Sequence, residues 1–161
     1  MPETKKVKEL MLLPGEYPAI RDTDSLKEAL ETLREYREGQ GHHHRSLLVF
    51  NNEDKLVGIL TIRGIMDGLQ RSMMQYENTE LWNIGWAALY KKDAFKKYTI
   101  SEVKQVMRPL VEAWVSSDDT VNTAIKLMMT KKVNILPVFK EGKAVGILRL
   151  VDILDYVYEL T

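Results

Sequence analysis

The sequence predicts a mixed α/β fold in which one βαββα unit occurs twice. Three pairs of matching segments, in the same order and at similar spacing, support this prediction. VKELM, ending at Met11, matches VKQVM, ending at Met107, and SLKEALETL, from Ser25, matches TVNTAIKLM, from Thr120. LLVFNNEDKLVGIL matches LPVFKEGKAVGIL once one residue is inserted near Asn52. Because a unit of three strands and two helices buries little surface alone, we expect the two sheets to pack together.

Each copy begins with a short extended piece followed by a helix. The extended pieces are Ala19 to Arg21 and Trp114 to Ser116, and each precedes a polar cluster that can start a helix. In the first copy, Ser25 and Glu28 have the spacing of a capping box. The apolar residues that follow recur at helical spacing in both copies. We therefore expect helices from about Ser25 and from about Thr120.

Two strands and a second helix complete each copy. The apolar runs LLVF and ILPVF end in turn-prone residues, NNED in the first copy and EG in the second, so each run should open a hairpin. Leu56 to Ile62 and Ala144 to Leu150 are nearly continuous apolar runs, the pattern of strands covered on both faces. A closing helix should follow each, from Ile65 onward and from Val151 to Leu160.

Two segments break the repeat. The first helix continues as REYREGQGHHHRS, about six residues longer than its counterpart, which we expect to form a surface loop. Residues 69–100 have no counterpart and contain Trp82, Trp86 and Leu89 at helical spacing after the start signal ENT. We therefore expect an inserted helix, and a chain divided into a first repeat at 1–68, the insertion at 69–100 and a second repeat at 101–161.

Composition excludes several classes of protein. The chain has 161 residues, 45% of them hydrophobic and 29% charged, which lies within the range of a single domain. Its 23 basic and 23 acidic residues cancel, so no global field attracts nucleic acid or anionic lipid. No apolar run is long enough for a membrane span, and MPETKKVKEL lacks the apolar region of a secretory signal. With no cysteine there is no disulfide framework, which fits a reducing cytoplasm.

Catalytic and metal-binding signatures are missing as well. The sequence contains no phosphate loop, no serine-nucleophile elbow, no zinc-protease motif and no dinucleotide fingerprint. We therefore expect no catalysis and no required cofactor. The adjacent His42, His43 and His44 cannot all face one ion, so we expect no structural metal there. The mixed basic and aromatic segment KKDAFKKY is expected to be a solvated helix face with Phe95 and Tyr98 buried.

The repeats resemble paired cystathionine-β-synthase (CBS) domains, often called a Bateman module. The resemblance covers nearly the whole chain outside 69–100. It rests on LM or VM before the first strand, an Asp and Ser/Thr cluster before the first helix, LPVF at Leu136 to Phe139, and VGIL leading into a strand and helix. The resemblance implies a pseudo-twofold pair of repeats whose clefts hold adenosine-containing ligands, and assembly into a homodimer.

The family's ligand contacts centre on a Gly-h-x-Ser/Thr-x-x-Asp pattern, where h is an apolar residue. In that pattern the hydroxyl and the helix N-terminus receive a phosphate, and the carboxylate accepts the ribose hydroxyls. The first copy, GILTIRG, keeps Thr61 but has Gly64 in place of the acid; the second, GILRLVD, keeps Asp152 but has Arg149 in place of the hydroxyl. We expect the second site to bind, with Asp152 on ribose and Arg149 on phosphate. At the first site, Thr61 with Arg63 would hold at most an anion.

Other interpretations of these residues remain open from sequence alone. Where the family often has a small hydroxyl residue before the first helix, this chain has Ala19 and Trp114. Trp114 either stacks on adenine or plugs the cleft. Asp152 could equally cap the last helix instead of binding ribose. Arg149 could face solvent from a strand, and Thr61 could be an ordinary strand residue.

These observations lead to two hypotheses about function. The first is a stand-alone cytoplasmic module, a homodimer, that binds AMP, ADP, ATP or S-adenosylmethionine as a regulatory ligand and transmits binding to a partner protein, with no nucleic acid or membrane involved. The second is a ligand-free assembly scaffold with degenerate nucleotide sites, in which Trp82 and Trp86 anchor the contacts.

Overall fold

The repeated apolar runs and capped segments form strands and helices at nearly the predicted places. The computed structural model of the chain describes residues 3–39, 46–77 and 98–161. The strands in these ranges are β1 (Ala19–Arg21), β2 (Ser46–Phe50), β3 (Leu56–Thr61), β4 (Arg108–Pro109), β5 (Val115–Ser116), β6 (Ile135–Lys140) and β7 (Lys143–Arg149). The α-helices are α1 (Leu26–Gly39), α2 (Ile62–Glu77), α3 (Val121–Lys131) and α4 (Leu150–Glu159).

The chain divides into two units. The central unit is Pro18–Pro109, and the terminal unit combines Met1–Tyr17 with Leu110–Thr161. The central unit contains a sheet of order β1-β2-β3-β4, and the terminal unit a sheet of order β5-β6-β7. In both sheets the first pair of strands is parallel and the hairpin pair is antiparallel.

Each unit has its own hydrophobic core, formed by apolar residues of its sheet and helices. In the central unit the core includes Ile20, Ala29, Leu33, Leu47, Val49, Leu60, Ile65, Leu69, Met73, Tyr98 and Val103. In the terminal unit it includes Val7, Ala113, Val115, Val121, Ala124, Met128, Leu136, Val138, Leu148 and Ile153. Most of these residues are repeated apolar positions of the sequence, such as Leu33 with Met128 and Leu60 with Leu148, and burial explains their apolar character. Leu69, Met73 and Tyr98 come instead from the segment without a counterpart.

The matching segments VKELM and VKQVM occupy matching places. A Cβ atom added to Gly146 would lie 2.7 Å from Met11 Sδ, and one added to Gly58 would lie 2.6 Å from Met107 Sδ. Glycine therefore permits close approach of the leading segment to β7 and to β3. VKELM and VKQVM, the leading segments of the two sequence copies, each pack on the sheet of the other copy. The central and terminal units therefore divide the chain differently from the predicted repeats at 1–68 and 101–161.

Backbone pairing holds the N-terminal segment on the terminal unit. Leu12 N–H donates to the Ile147 carbonyl at 2.7 Å, and Ile147 N–H donates to the Leu12 carbonyl at 2.9 Å. A second isolated bridge joins Lys6 to Thr120. Val7 between these bridges is fully buried. Val7, Leu10 and Met11 of the N-terminal segment are therefore part of the core of the terminal unit.

The predicted helix starts are confirmed by their capping bonds. Glu28 N–H donates to Ser25 Oγ at 3.2 Å, and Ser25 N–H donates to Glu28 Oε2 at 2.8 Å, which completes the capping box. Thr120 Oγ1 accepts from Thr123 N–H at 3.2 Å at the start of α3. The polar clusters before α1 and α3 satisfy helix N–H groups that would otherwise have no acceptor.

Both junctions between the last strand and the closing helix lie earlier than predicted. α2 begins at Ile62 rather than Ile65, and α4 begins at Leu150 rather than Val151. The sequence prediction was wrong here because an apolar residue that ends a strand and one that begins a buried helix give the same pattern. Trp114 likewise precedes β5 instead of belonging to it.

The central sheet has a fourth strand that the sequence did not predict. β4 pairs antiparallel with β3, with Gly58 opposite Pro109 and Ile59 opposite Arg108. Two residues are too few to show an alternating pattern, and proline is a residue of edge strands.

Helix α2 extends into the segment expected to be inserted. It runs through Glu77, so 69–77 continue the closing helix of the first copy. The remainder of the predicted inserted helix, with Trp82 and Trp86, lies outside the described residues, as do His42 to His44 and all of KKDAFKKY except Tyr98. The Tyr98 side chain is buried, as predicted. REYREG, predicted to be loop, is the last part of α1.

Candidate functional site

The five residues predicted to contact a ligand lie in both units. Thr61 and Arg63 lie at the junction of β3 and α2 in the central unit. Arg149 and Asp152 lie at the junction of β7 and α4 in the terminal unit, which also contains Trp114, just before β5.

Arg149 and Asp152 form a bidentate ion pair. Arg149 Nε donates to Asp152 Oδ2 at 2.7 Å, and Arg149 Nη2 donates to Asp152 Oδ1 at 2.7 Å. The two side chains are 24% and 20% exposed. The paired geometry is the strong form of a charged hydrogen bond, and partial burial limits its screening by water.

The strand-to-helix turn creates this pair. Arg149 is the N-cap of α4 with extended backbone angles, φ −106° and ψ 145°, and Asp152 is in the first turn. The Arg149 side chain makes no capping bond to the helix backbone, while Leu150 N–H donates to the Asn134 carbonyl at 2.8 Å. Because the N-cap side chain makes no capping bond, the first turn of α4 keeps N–H groups that can donate to an anion.

Tyr17 supports the Arg149 guanidinium from the N-terminal segment. The guanidinium carbon lies 5.9 Å from the centroid of the Tyr17 ring, and Tyr17 is buried. This distance is that of a cation–π contact. Sequence reasoning missed Tyr17 because it lies outside the repeated motif and is distant from Arg149 along the chain.

Electrostatics keep the guanidinium charged. The hydrogen bond and the charge of Asp152 raise the pKa of Arg149, against the opposing effect of partial burial. The guanidinium therefore stays positively charged beside Asp152.

Trp114 presents an accessible aromatic ring in the same unit. Its ring meets that of Phe139 edge to face, with centroids 5.5 Å apart and an interplanar angle of 72°. Trp114 is 50% exposed, so much of the indole is open to solvent. An exposed indole whose edge is fixed by a neighbouring ring can stack on a planar group.

The register of the terminal sheet relates Trp114 to Arg149. Val115 pairs with Val138, and Arg149 pairs with Ile135, so the two residues lie on opposite sides of β6. From ordinary sheet spacings, their backbones are separated by roughly 10 Å across the sheet and about 6–7 Å along it. A ligand that touches both must therefore be extended.

The β3–α2 junction is the counterpart in the first copy and has different side chains. Thr61 Oγ1 accepts from Gly64 N–H at 3.0 Å, so Thr61 caps α2. A Cβ atom at Gly64 would lie 3.1 Å from the Val106 carbonyl oxygen. The backbone approach at Val106 thus leaves little room for the carboxylate that the second copy has at this place. Arg63 is exposed on the first turn of α2.

A cleft of about 370 Å³ in the central unit lies elsewhere. Its lining residues are Ala19, Ile20, Arg21, Asp24, Phe50 and Asp54. Arg21 forms an ion pair with Asp54 and donates to the Asn51 carbonyl at 2.6 Å. Thr61 and Arg63 do not line this cleft, so in the central unit the predicted ligand residues and the cleft do not coincide.

Two kinds of site receive no support from the described part of the chain. In residues 3–39, 46–77 and 98–161, no three His, Asp or Glu side chains gather as metal ligands would. The helices in these ranges also lack the length and apolar character that a membrane span requires.

Comparison with known proteins gives a family match and a fold match. The sequence profile of the CBS domain matches residues 7–71 and 101–159. No curated protein sequence matches the chain. The profile match thus covers both predicted repeats.

Three similar solved structures illustrate the fold match. CBSX2 in complex with AMP is 19% identical, with 97% of this chain and 98% of that chain covered and a TM-score of 0.67. The CBS domain of the bacterial CNNM/CorC family Mg²⁺ transporter in complex with ATP is 19% identical, with 98% and 89% covered and a TM-score of 0.67. The CBS domains of a transcriptional regulator from Streptococcus pneumoniae are 17% identical, with 93% and 97% covered and a TM-score of 0.62.

Proposed function

Because the chain belongs to the CBS domain family, we propose that it is a regulatory module that binds an adenosine-containing ligand at the junction of β7 and α4. The single observation that carries this proposal is the half-buried Arg149–Asp152 pair beside the start of α4. It places a cation, a carboxylate and helix N–H groups together, and these groups complement a phosphate and a ribose.

The pair retains hydrogen-bonding capacity for a ligand. A guanidinium has five N–H groups and a carboxylate about four lone-pair positions, and the pair uses two of each. The remaining N–H groups of Arg149 can donate to phosphate oxygens, and the remaining lone pairs of Asp152 can accept from ribose hydroxyls. The ion pair therefore need not break when the ligand binds.

Trp114 is the proposed partner of the adenine ring. Trp114 is 50% exposed, and the sheet register places it about 10 Å from Arg149 across the sheet. This separation matches a ligand with an aromatic base at one end and a phosphate at the other. AMP and ATP are the first ligands to test, since solved CBS domain structures with similar folds contain them. ADP and S-adenosylmethionine share the adenosine group and follow.

Binding would regulate rather than catalyse. A ligand that favours one arrangement of the repeats shifts their equilibrium by its difference in affinity between arrangements. A partner protein that contacts only one arrangement then responds to the ligand. We propose that the module acts in the cytoplasm as a homodimer and carries out no reaction itself.

The first experiment asks whether the purified protein carries an adenine compound and whether adding one stabilises it. Freshly purified protein is denatured, and the released fraction is examined by absorbance and mass. Thermal unfolding is then followed with AMP, ADP, ATP, S-adenosylmethionine and NAD. At 100 times Kd a ligand stabilises the fold by about 2.7 kcal/mol, which for a chain of this size is about 5–10 °C.

Variants distinguish the two halves of the site. Asp152→Ala should weaken both adenosine and AMP at least about tenfold, because it removes the ribose acceptor. Arg149→Gln should weaken AMP by a similar factor and leave adenosine nearly unchanged. Glu159→Ala, which removes an exposed carboxylate at the last residue of the same helix, is the matched control and should bind like wild type.

The alternative function is a ligand-free assembly scaffold. It is favoured by the incomplete motif at Gly64 and by the apolar residues that α4 exposes, with Val151, Leu154 and Tyr158 at 51%, 60% and 80%. If no adenine compound is released and no ligand in the panel raises the unfolding temperature, the scaffold replaces the regulatory module as the function of this chain.

A further inference from the structure

A second polar pocket lies in the central unit, between α2 and the 3-10 turn at Val103–Gln105. Its volume is about 260 Å³, and its lining residues are Gly68, Arg71, Ser72, Ser101, Gln105 and Val106. At about 30 Å³ per water molecule, this space holds a handful of waters or one small polar ion.

Close packing defines one wall of this pocket. A Cβ atom on Gly68 would lie 2.8 Å from Val106 Cγ1 and 3.0 Å from Leu26 Cδ1. The absence of a side chain at Gly68 therefore lets α2 approach its neighbours closely.

The polar groups at the pocket are mostly hydrogen-bond donors. Ser72 Oγ and Ser101 Oγ lie 3.1 Å apart, so one hydroxyl donates to the other and one hydroxyl hydrogen remains. Gln105 Oε1 accepts from Glu102 N–H at 3.2 Å. The two N–H groups of the Gln105 amide therefore face away from the Glu102 backbone. The Ser72 side chain is nearly fully buried, so its hydroxyl has a fixed position.

Arg71 makes the pocket cationic. Its Nε lies 3.4 Å from the Asp67 carbonyl within α2, which leaves the two terminal amino groups of the guanidinium. Among the residues that the structure describes, no carboxylate forms an ion pair with Arg71. Glu102, the neighbour of Ser101, forms an ion pair with Lys104, whose Nζ lies 3.1 Å from Glu102 Oε2. This contact lacks the alignment of a hydrogen bond.

We propose that this pocket binds a phosphate group, either free or as a phosphomonoester. The guanidinium, the Gln105 amide and one serine hydroxyl together supply donors that match the oxygens of such an anion, and none of the described residues that line the pocket is acidic. The phosphate site and the proposed nucleotide site share no residues, so a negative result at one site does not exclude binding at the other.

The test is a titration of the isotopically labelled full chain followed by two-dimensional ¹H–¹⁵N NMR. Inorganic phosphate is added at constant ionic strength, with sodium chloride as the balancing salt, and glycerol phosphate is used in a parallel series. Saturable shifts of the Ser72, Ser101 and Gln105 amide signals are expected. Tighter binding of glycerol phosphate identifies a phosphomonoester as the ligand, and tighter binding of inorganic phosphate identifies the free ion.

Matched variants separate binding from general salt effects. Arg71→Gln should weaken phosphate binding at least about tenfold, because a charged donor is lost. Arg34→Gln, an exposed position on α1, removes the same charge and should bind like wild type. Shifts that do not saturate, or a titration of Arg71→Gln that equals that of wild type, would overturn the proposal. The unperturbed part of each spectrum reports that the variant is folded.

Discussion

Substituting Gly146 with alanine should push the Met11–Leu12 part of the N-terminal segment away from β7. The new Cβ atom would lie 2.7 Å from the Leu12 carbonyl oxygen and 2.7 Å from Met11 Sδ. Met11 is flexible and can turn aside. The Leu12 carbonyl cannot, because Leu12 and Ile147 exchange two backbone hydrogen bonds at 2.7 and 2.9 Å.

The size of the effect follows from these contacts. Loss of the two backbone bonds costs about 1 kcal/mol each, and overpacking adds about 1–3 kcal/mol. The lower entropy of the unfolded alanine chain returns about 0.4–1 kcal/mol. The free energy of unfolding should therefore fall by about 2–5 kcal/mol. For an m-value of about 2 kcal/mol/M, the urea midpoint drops by about 1–2.5 M.

The assay is urea unfolding followed by circular dichroism, together with hydrogen exchange of peptides that cover residues 5–13. Faster exchange should appear in these peptides, and AMP affinity should fall because Tyr17, at the end of the same segment, contacts Arg149. Gly15→Ala is the matched control, since a Cβ atom there meets nothing within 4 Å. A Gly146→Ala protein within 0.5 kcal/mol of wild type would refute the packing argument.

Three smaller perturbations have defined outcomes. Thr61→Ala removes the bond to Gly64 N–H and should lower the free energy of unfolding by about 1 kcal/mol, measured by urea unfolding. Gly142→Ala should cost about 1 kcal/mol in the same assay, since φ is +79° and the surroundings are open; no change would mean that the turn relaxes. Lys8 lowers the pKa of Asp118 by a hydrogen bond at 3.1 Å, so the pair stabilises the fold above the ordinary pKa of the carboxyl and loses this effect as pH falls through the lowered value. The Lys8→Gln substitution should raise the Asp118 pKa towards its ordinary value, as measured by a pH titration with carbon NMR. An unchanged pKa would show that Lys8 is not the cause of the shift.

Local sequence patterns were sufficient to predict most of the strands and helices. Ser25 with Glu28 and Thr120 make the capping bonds that their positions indicated. The strand and turn segments were predicted because both copies repeat the same apolar run and the same change to turn residues. These features depend on neighbours in the chain, which the sequence displays directly.

The packing of the leading segments was beyond such patterns. Sequence similarity pairs VKELM with VKQVM, but it does not reveal that Met11 packs on β7 and Met107 on β3. Likewise, the junctions at Ile62 and Leu150 were misplaced because the run of apolar residues continues without a break where the strand ends and the helix begins. Both depend on tertiary contacts.

The candidate site was predictable in part. Arg149 and Asp152 are three positions apart at a helix start, so their proximity follows from the spacing and the predicted helix. The mutual ion pair was not foreseen, since the motif suggested separate contacts to phosphate and ribose. Tyr17 was missed because only the folded N-terminal segment brings it to Arg149.

The most direct test of the account is an NMR titration of the labelled chain with AMP, observed at the Arg149 Nε–H signal and at the amide signals of Leu150 to Asp152. We expect saturable shifts of these signals in wild type, and at least about tenfold weaker binding in Asp152→Ala. If AMP leaves these signals unchanged at saturating concentration, or if its shifts map to another part of the chain, then the junction of β7 and α4 is not the nucleotide site.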